Sequence, residues 1–580
     1  DVYKRQRPIQ LMDAEYNMNN KTLGKRVLAH AEKAKAVSPD QYGCRKNHTA
    51  INACLNKVLL MDGMRQKKQA GAIAMNDAKG CFDRINHTFA ILVLMSFGVS
   101  SVLARSLFET LQTADHHIKT GYGRSDKAYG NNDEAEPHQG IGQGNGLGPT
   151  LWALLSSILI KNMKRHGHGV NLRSALSLSL ISIVCFAFVD DTDLAITGKH
   201  RLTTGEEVIE EFQPALDRWA RSLIVSGGAL CSDKSFCYLI DFQWTGTDWE
   251  YRSKDDMPGS FTLIDKHGTR RELKRMNAEE AEKTLGVYLA MDGNDRRQIR
   301  NLQEEAIKFG DQIRSSKCDN NTAFYTYTNC FLKSMEYCMP TTDFTETQWN
   351  DILKPALRKA LQKSGIAANF PRDVLYSPDL YQGLNIYNPR FCEGIKKIST
   401  HIQESVNQSS TGDLIRLTAE GLRLELGIPL IAGRIDWNIV QAYTTKVWYR
   451  GVLNFASEHN IEFIEDYPQI PLLRQNDQYI MQGFIKAGYR NKELQILNYM
   501  RMSLRAISVA DITSVSGLTI NHLAWELREG NLLREHYDWP RDPPSFTKKQ
   551  KDFWKKALGN TFIRPQSILE HRILAQPVST

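Results

Sequence analysis

At 580 residues the chain is about four times the length of a 150-residue domain, more than one hydrophobic core usually spans, so at least two units are expected. With 42% hydrophobic and 24% charged residues, 39 Gly and 19 Pro, the composition excludes a collagen, a coiled coil and wholesale disorder. The 73 basic and 65 acidic residues leave +8 at pH 7, a mild excess that permits a polyanionic partner without requiring one.

Two uncharged runs, Leu147–Ile160 of 14 residues and Ser174–Val189 of 16, fall short of the roughly 20 apolar residues a membrane span needs. They read as a buried helix and a buried strand, so no membrane partner is expected. The ten cysteines, at 44, 54, 81, 185, 231, 237, 318, 330, 338 and 392, form no Cys-x-x-Cys pair. That excludes a zinc ribbon and suits a reduced, intracellular chain, nuclear or cytoplasmic. The opening Asp1-Val2-Tyr3, without Met and with no visible leader, reads as a fragment or as a few foreign leading residues. No internal repeat appears.

Residues 1–290 mix strand, turn and helix signals. Ala70–Met75 is a short apolar run that reads as a buried strand delivering Asp77 at its end. A helix over 86–97 follows, with Phe89, Leu92, Val93 and Phe97 on one face. Gln139–Thr150, QGIGQGNGLGPT, places Gly at 140, 142, 144, 146 and 148. That even spacing excludes the dinucleotide fingerprint, and the P-loop Lys is absent, so composition alone reads it as a flexible loop. Pro149 then opens a helix whose Leu151, Leu154, Leu155, Ile158 and Leu159 form a core face. Val184–Val189 and Thr192–Thr197 flank Asp190-Asp191 and read as a β-hairpin with the acidic pair at its tip. Acidic pairs are commonly solvated turns. Gathered carboxylates repel, however, and a divalent metal relieves the repulsion.

Asp77 with Phe82-Asp83, Gln143-Gly144 with Pro149, and Phe188-Val189-Asp190-Asp191 resemble motifs A, B and C of reverse transcriptases, most like those of non-LTR retrotransposons. Arg7–Leu11 and Gln41–Lys46 resemble the fingers motifs, Gly227–Leu230 with Lys234 motif D, and Thr284–Val287 motif E. The resemblance covers about residues 5–290. Gly148 departs from the small Ser-like residue expected before the motif B proline, and 115–136 is longer and more polar than a minimal palm needs.

The resemblance implies an α+β right hand with an antiparallel palm sheet backed by helices. The implied activity is an RNA-directed DNA polymerase, a nucleotidyltransferase taking an RNA template, a DNA primer and dNTPs. It implies two Mg²⁺ (or Mn²⁺) ions bridged by Asp77 and Asp190, with Asp191 a weaker ligand. Phe82 is implied as the sugar gate, Arg45 as the triphosphate clamp, Gln143 and Gly144 as the wall of the nucleotide pocket, and Lys234 as the proton donor to pyrophosphate. A viral RNA-dependent RNA polymerase is disfavoured by Val189 and Phe82. A domesticated copy that only binds nucleic acid is the other alternative, which loss of a catalytic Asp would mark. His116-His117, His166 and His168 lack a third ligand at metal spacing and read as exposed loop residues. Ser156-Ser157 has no His or Asp partner motif.

The second half is mainly helical. Ile299, Leu302, Ala306, Phe309 and Ile313 form one stripe, and Thr345 with Gln348 forms a capping box before a helix that Pro355 should kink. Another helix runs from Asp413 to Gly427. Residues 291–400 resemble a thumb, with Arg296, Arg297, Arg300 and Lys308 placed to meet a phosphate backbone. Residues 401–580 have no assigned role; 545–558 interleaves Lys548, Lys549, Lys551, Lys555 and Lys556 with Phe546, Phe553 and Trp554. No RNase H, endonuclease or zinc-knuckle signature is visible.

Overall fold

The computed structural model describes residues 9–76, 78, 81–130, 138–265, 268–407, 409–430, 432–528, 534–565 and 572–579. The architecture is α+β. Strands β1 (Gly71–Asn76), β2 (Cys185–Phe188), β3 (Asp191–Thr197), β4 (Phe236–Ile240) and β5 (Lys274–Met276) form one sheet in the order β5-β4-β1-β3-β2. Three of its pairings are antiparallel, and β5 joins β4 in parallel. Two further strands, β6 (Glu282–Thr284) and β7 (Val287–Leu289), make a separate hairpin.

β1 is buried at every position. It therefore reads as a continuous apolar run, because both faces of the sheet are covered. One face lays Ala72, Ala74, Ala187, Leu194 and Ile196 against helices that follow β1 in the chain. After α1 (Ala14–Lys33), α2 (Ala50–Lys67) and the short α3 (Cys81–Arg84), these are α4 (His87–Ser96), α5 (Ser101–Thr113), α6 (Gly148–Arg165) and α7 (Gly205–Val225). α4 turns Ala90, Val93 and Leu94 inward, whereas Leu92, expected on the core face, is 58% exposed.

The other face carries Ile73, Met75, Phe186, Ala195, Tyr238 and Ile240. It is covered by α2 and by the C-terminal part of the chain. The longer of the later helices are α8 (Arg296–Ser315), α9 (Glu346–Lys363), α10 (Pro389–Asn407), α11 (Ser410–Leu426), α12 (Trp448–Glu458), α13 (Asn491–Ser503) and α14 (Lys548–Phe562). α11 lies on α2 so closely that a Cβ at Gly63 would stand 2.6 Å from Leu417. Polar contacts add to this seam: Gln66 Nε2 donates to Thr418 O at 3.1 Å, the Trp448 amide donates to Asp62 Oδ2 at 2.5 Å, and the Glu420 carboxylate accepts from the amides of Leu176 and Ser177 at 2.7 and 2.8 Å. Leu414, Leu417, Trp448 and Trp554 thus share one core with Ile73 and Tyr238.

α8 and α9 pair around Leu302, Ala306, Ile352 and Leu357. The capping box at Thr345 is made, with the Gln348 amide donating to Thr345 Oγ1 at 3.2 Å. α9 runs on through Pro355. α11 begins three residues before Asp413, capped by Ser409, and ends on Gly427 at φ +57°. On α14 the aromatics do not interleave outward with the lysines. Trp554 is fully buried with its Nε1 donating to Ala524 O at 2.9 Å, and Phe553 packs on Tyr489. Among the described residues no helix is long and apolar enough to cross a membrane.

Candidate active site

β1 ends at Asn76, opposite Thr192 in β3. Asp77, the next residue, lies outside the described residues, as do Arg7 and Pro8 of the first fingers motif. On the other side of β3 the register pairs Phe188 with Asp191 and Phe186 with Asp193. The turn is therefore the two residues Val189-Asp190, and Asp191 already opens the returning strand. Asp190 is half-buried and Asp191 exposed. Val189 has φ +58°. That is a strained conformation for a β-branched residue, in the place where a type II′ turn ordinarily has glycine. Such strain, of order 1–3 kcal/mol, persists only where neighbours over-determine it.

The neighbours here are specific. The segment 40–43 runs along the edge of β2, with the Tyr42 amide donating to Ala187 O at 2.7 Å and the Ala187 amide donating to Asp40 O at 2.9 Å. Gln41 Oε1 accepts from the Gly43 and Val189 amides at 2.7 and 3.3 Å. Trp152 Nε1 donates to Val189 O. A Cβ at Gly43 would lie 2.3 Å from the Val189 nitrogen, so only glycine lets the two backbones meet. Asp40 is buried, which raises its carboxyl above the usual range against the opposing pull of Lys164 at 2.9 Å. Burial, and then the Asp190 charge, push the Cys44 thiol up.

The glycine-rich segment is a packed strap rather than a flexible loop. Gly140, at φ +76°, would place a Cβ 2.4 Å from Phe82 O, and the Ile141 amide donates to that same carbonyl at 2.8 Å. Gly144 presses on Gln10, whose amide donates to Gln143 O at 2.6 Å. Asn17 of α1 holds Gly144 and Gly146 through its amide group at 3.0 and 2.6 Å. Phe82 sits in α3 with its ring edge-on to Trp152, centroids 6.3 Å apart. A Cβ at Gly148 would meet that ring at 3.5 Å, ordinary contact, so the departure from a Ser-like residue changes little here. The Gln143 side chain reaches Asp83 Oδ2 at 3.5 Å.

Lys234 is exposed on the turn Ser232–Lys234 leading into β4, whose Phe236 opposes Met75 in β1. The sheet thus brings the end of β1, the Asp190-Asp191 turn and Lys234 to one edge. Arg45 is placed differently from a free clamp. Its Nε and Nη2 donate to the two oxygens of Glu32 at 2.5 and 2.9 Å, and its Nη1 donates to Ser38 O and Gln41 O at 3.0 and 2.8 Å. With its side chain 9% exposed, it braces the loop that carries Gln41. His116 also departs from an exposed-loop reading. It stacks on His138 at 4.4 Å and bonds Gln10 beside the glycine strap. Burial first, then the neighbouring histidines, hold His138 down to about 4.

Sequence reasoning missed Lys57 and Asp193, which form a buried ion pair behind the turn. The signal was a lysine at a core position of an otherwise apolar face, Ala53, Lys57, Leu60, Met61 and Met64. Among the described residues no group of three or more His, Cys, Asp or Glu is gathered to hold a metal ion. Asp190 and Asp191 supply two adjacent carboxylates, hard oxygen donors of the kind Mg²⁺ or Mn²⁺ takes.

Residues 3–227 match the family model for reverse transcriptase (RNA-dependent DNA polymerase). No curated protein matches the sequence. Among solved structures, telomerase from Candida albicans, in complex with a TWJ fragment of telomeric RNA, aligns at 10% identity and a TM-score of 0.31. The alignment covers 77% of this chain and 59% of that one. Telomerase from Candida tropicalis, in the same kind of complex, aligns at 11% identity and 0.27, covering 69% and 56%. The chain therefore spans less than two thirds of the length of either neighbour. With the glycine strap, the segment 40–43 bridged to β2 and the acidic turn all falling inside the matched span, residues 3–227 are a reverse transcriptase domain.

Proposed function

We propose that the chain is an RNA-directed DNA polymerase encoded by a retrotransposable element of the non-LTR kind, acting inside the cell. On this reading residues 1–290 are fingers and palm, 291–400 a thumb, and 401–580 a buttress for the palm. The observation that carries it is the acidic turn: Asp190, with Asp191 beside it, emerges at the sheet edge where β1 ends, on a strained turn braced by the segment 40–43 and by Trp152 of α6.

Asp77, Asp190 and Asp191 would hold two divalent cations, which supply charge neutralisation at the attacking 3′-oxygen and the reacting phosphate. The chain's own residues do the rest. Phe82, fixed between Trp152 and the glycine strap, fills the space a ribose 2′-hydroxyl would occupy. Gln143 and Gly144 form the wall beside it. Lys234 gives a proton to the departing pyrophosphate. Arg45 serves this site indirectly, by fixing the segment whose Gln41 props Val189.

The test is primer extension on an RNA template with dNTPs or NTPs, in Mg²⁺ and in Mn²⁺. Wild type should extend with dNTPs. Phe82→Ala should admit ribonucleotides roughly ten- to a hundredfold better, because burying an unpartnered hydroxyl against the ring costs about 1–3 kcal/mol. A variant that melts lower and keeps the same sugar preference would return Phe82 to a packing role. Binding of RNA without extension would favour the domesticated alternative.

A further inference from the structure

Behind the acidic turn lies a polar contact that the polymerase reading does not use. Lys57 is on α2, in the middle of a helix buried along nearly its whole length. Its side chain is 1% exposed, and its Nζ is paired with Asp193, 7% exposed. The same Nζ donates to Thr284 Oγ1 at 2.5 Å. Three elements therefore meet on one ammonium group: α2, strand β3 and the last residue of β6.

Each element leads somewhere. Asp193 is two residues from Asp191, and because side chains alternate along a strand, the two share a face of β3. Thr284 is the last residue before the Leu285-Gly286 turn, where both residues have positive φ, +47° and +93°. That turn is held from the 291–400 region, since Tyr337 Oη donates to Leu285 O at 2.6 Å and its ring would meet a Gly286 Cβ at 3.0 Å. Cys54, one helical turn before Lys57, lies within 3.5 Å of Thr284 O through its Sγ. The line from the acidic turn to the β6–β7 hairpin thus runs through Lys57.

A buried ion pair is a poor device for stability alone. Removing two charges from water offsets most of their attraction, and apolar residues of similar size usually serve as well or better. What the pair supplies is direction. The ammonium fixes the Asp193 carboxylate and ties the start of β3 to β6. A carboxylate left unpaired at that place would swing toward any cation held by its neighbours, since opposite charges attract strongly where water is scarce.

We propose that Lys57 is a positioning residue for nucleotide addition: through Asp193 and Thr284 it fixes the acidic turn relative to the β6–β7 hairpin. This rests on the polymerase reading. Small misplacements of reacting groups reduce turnover far more than they reduce binding, and that separates a positioning role from a structural one.

The experiment compares wild type, Lys57→Met/Asp193→Leu and Thr284→Val in the full chain. Three quantities are read: the melting temperature, the dissociation constant for an RNA–DNA primer–template, and kcat and KM for dNTP incorporation. The double variant replaces the pair by apolar groups, so it should melt at or above wild type and bind primer–template within twofold. Its kcat should fall at least tenfold with little change in KM. Thr284→Val keeps the ion pair and removes only the tie to β6; its kcat should fall two- to tenfold at an unchanged melting temperature. A double variant with wild-type kcat overturns the proposal, as does a kcat that falls only in step with the melting temperature. Unchanged kcat in Thr284→Val overturns the tie to the hairpin. A wild type that extends no primer overturns the polymerase reading and this proposal with it, whereas a wild type and double variant that extend equally overturn this proposal alone.

Discussion

The sheet is held in two different ways at its acidic edge and across its C-terminally covered face. At the edge, directional contacts fix the backbone. Val189 is kept at φ +58° by Gln41, Gly43 and Trp152, Asp193 by Lys57, and the glycine strap by Asn17 and Gln10. Each contact has one geometry, and several are locally unfavourable. Across the covered face, Ile73, Met75, Tyr238 and Ile240 meet Leu60, Leu414, Leu417 and Trp448 in a single apolar core. Those contacts are non-directional and stabilise in proportion to the area removed from water. Changes on the covered face should therefore be read in stability, and changes at the edge in chemistry.

The largest effect should come from deleting residues 401–580. That uncovers α2 and one face of the sheet, and loses a set of buried side chains worth about 1.5–3 kcal/mol each. The shortened chain should fail to melt cooperatively or should aggregate. A fragment ending at residue 400 that melts like the full chain would break the comparison, making the C-terminal region an appendage.

Acid should strike the same part of the chain before the edge. His401 is buried among Tyr449, Phe463 and Tyr467, and burial, with Arg423 nearby, holds it down to about 4 from the ordinary 6.5. The folded state then binds fewer protons than the unfolded one between those values. Stability present above pH 6.5 is lost as the pH falls toward 4, by about 3 kcal/mol for a shift of this size. His401→Phe should flatten that loss in urea titrations at pH 7 and pH 4.5. An unchanged slope would place the acid sensitivity elsewhere.

Smaller in stability, and sharper as a contrast, is Val189→Gly. Glycine adopts the left-handed turn without strain but adds freedom to the unfolded chain, so stability should change by less than about 1 kcal/mol. The turn would no longer be wedged, and kcat should fall. Stability falling by several kcal/mol at full activity would mean that Val189 is a packing residue.

The sequence made the edge legible to an unequal degree. The β2–β3 hairpin was readable because two β-branched, aromatic runs flank two aspartates, although Asp191 belongs to the strand rather than to the tip. The strap could be located by its glycines. Its rigidity could not be read, because that comes from Asn17 and Gln10, more than a hundred residues away. Arg45 resembled a free clamp because Glu32, thirteen residues earlier, gives no local sign of being its partner. α2 gave no amphipathic stripe, since both sides of it are buried. Its seam with α11, and with it the role of the C-terminal region, was therefore out of reach of periodicity.

One side-by-side measurement tests whether the acidic turn is the seat of chemistry: RNA-templated dNTP incorporation and thermal melting of wild type and Asp190→Asn. Asp190 is followed by a second carboxylate, Asp191, and removing one of two repelling charges should not destabilise the fold. The prediction is extension by wild type, at least a thousandfold less by the variant, and melting temperatures within about 1 °C, which for a chain this long is on the order of 1 kcal/mol. Extension at the wild-type rate by Asp190→Asn, or a large fall in its melting temperature, would contradict the assignment.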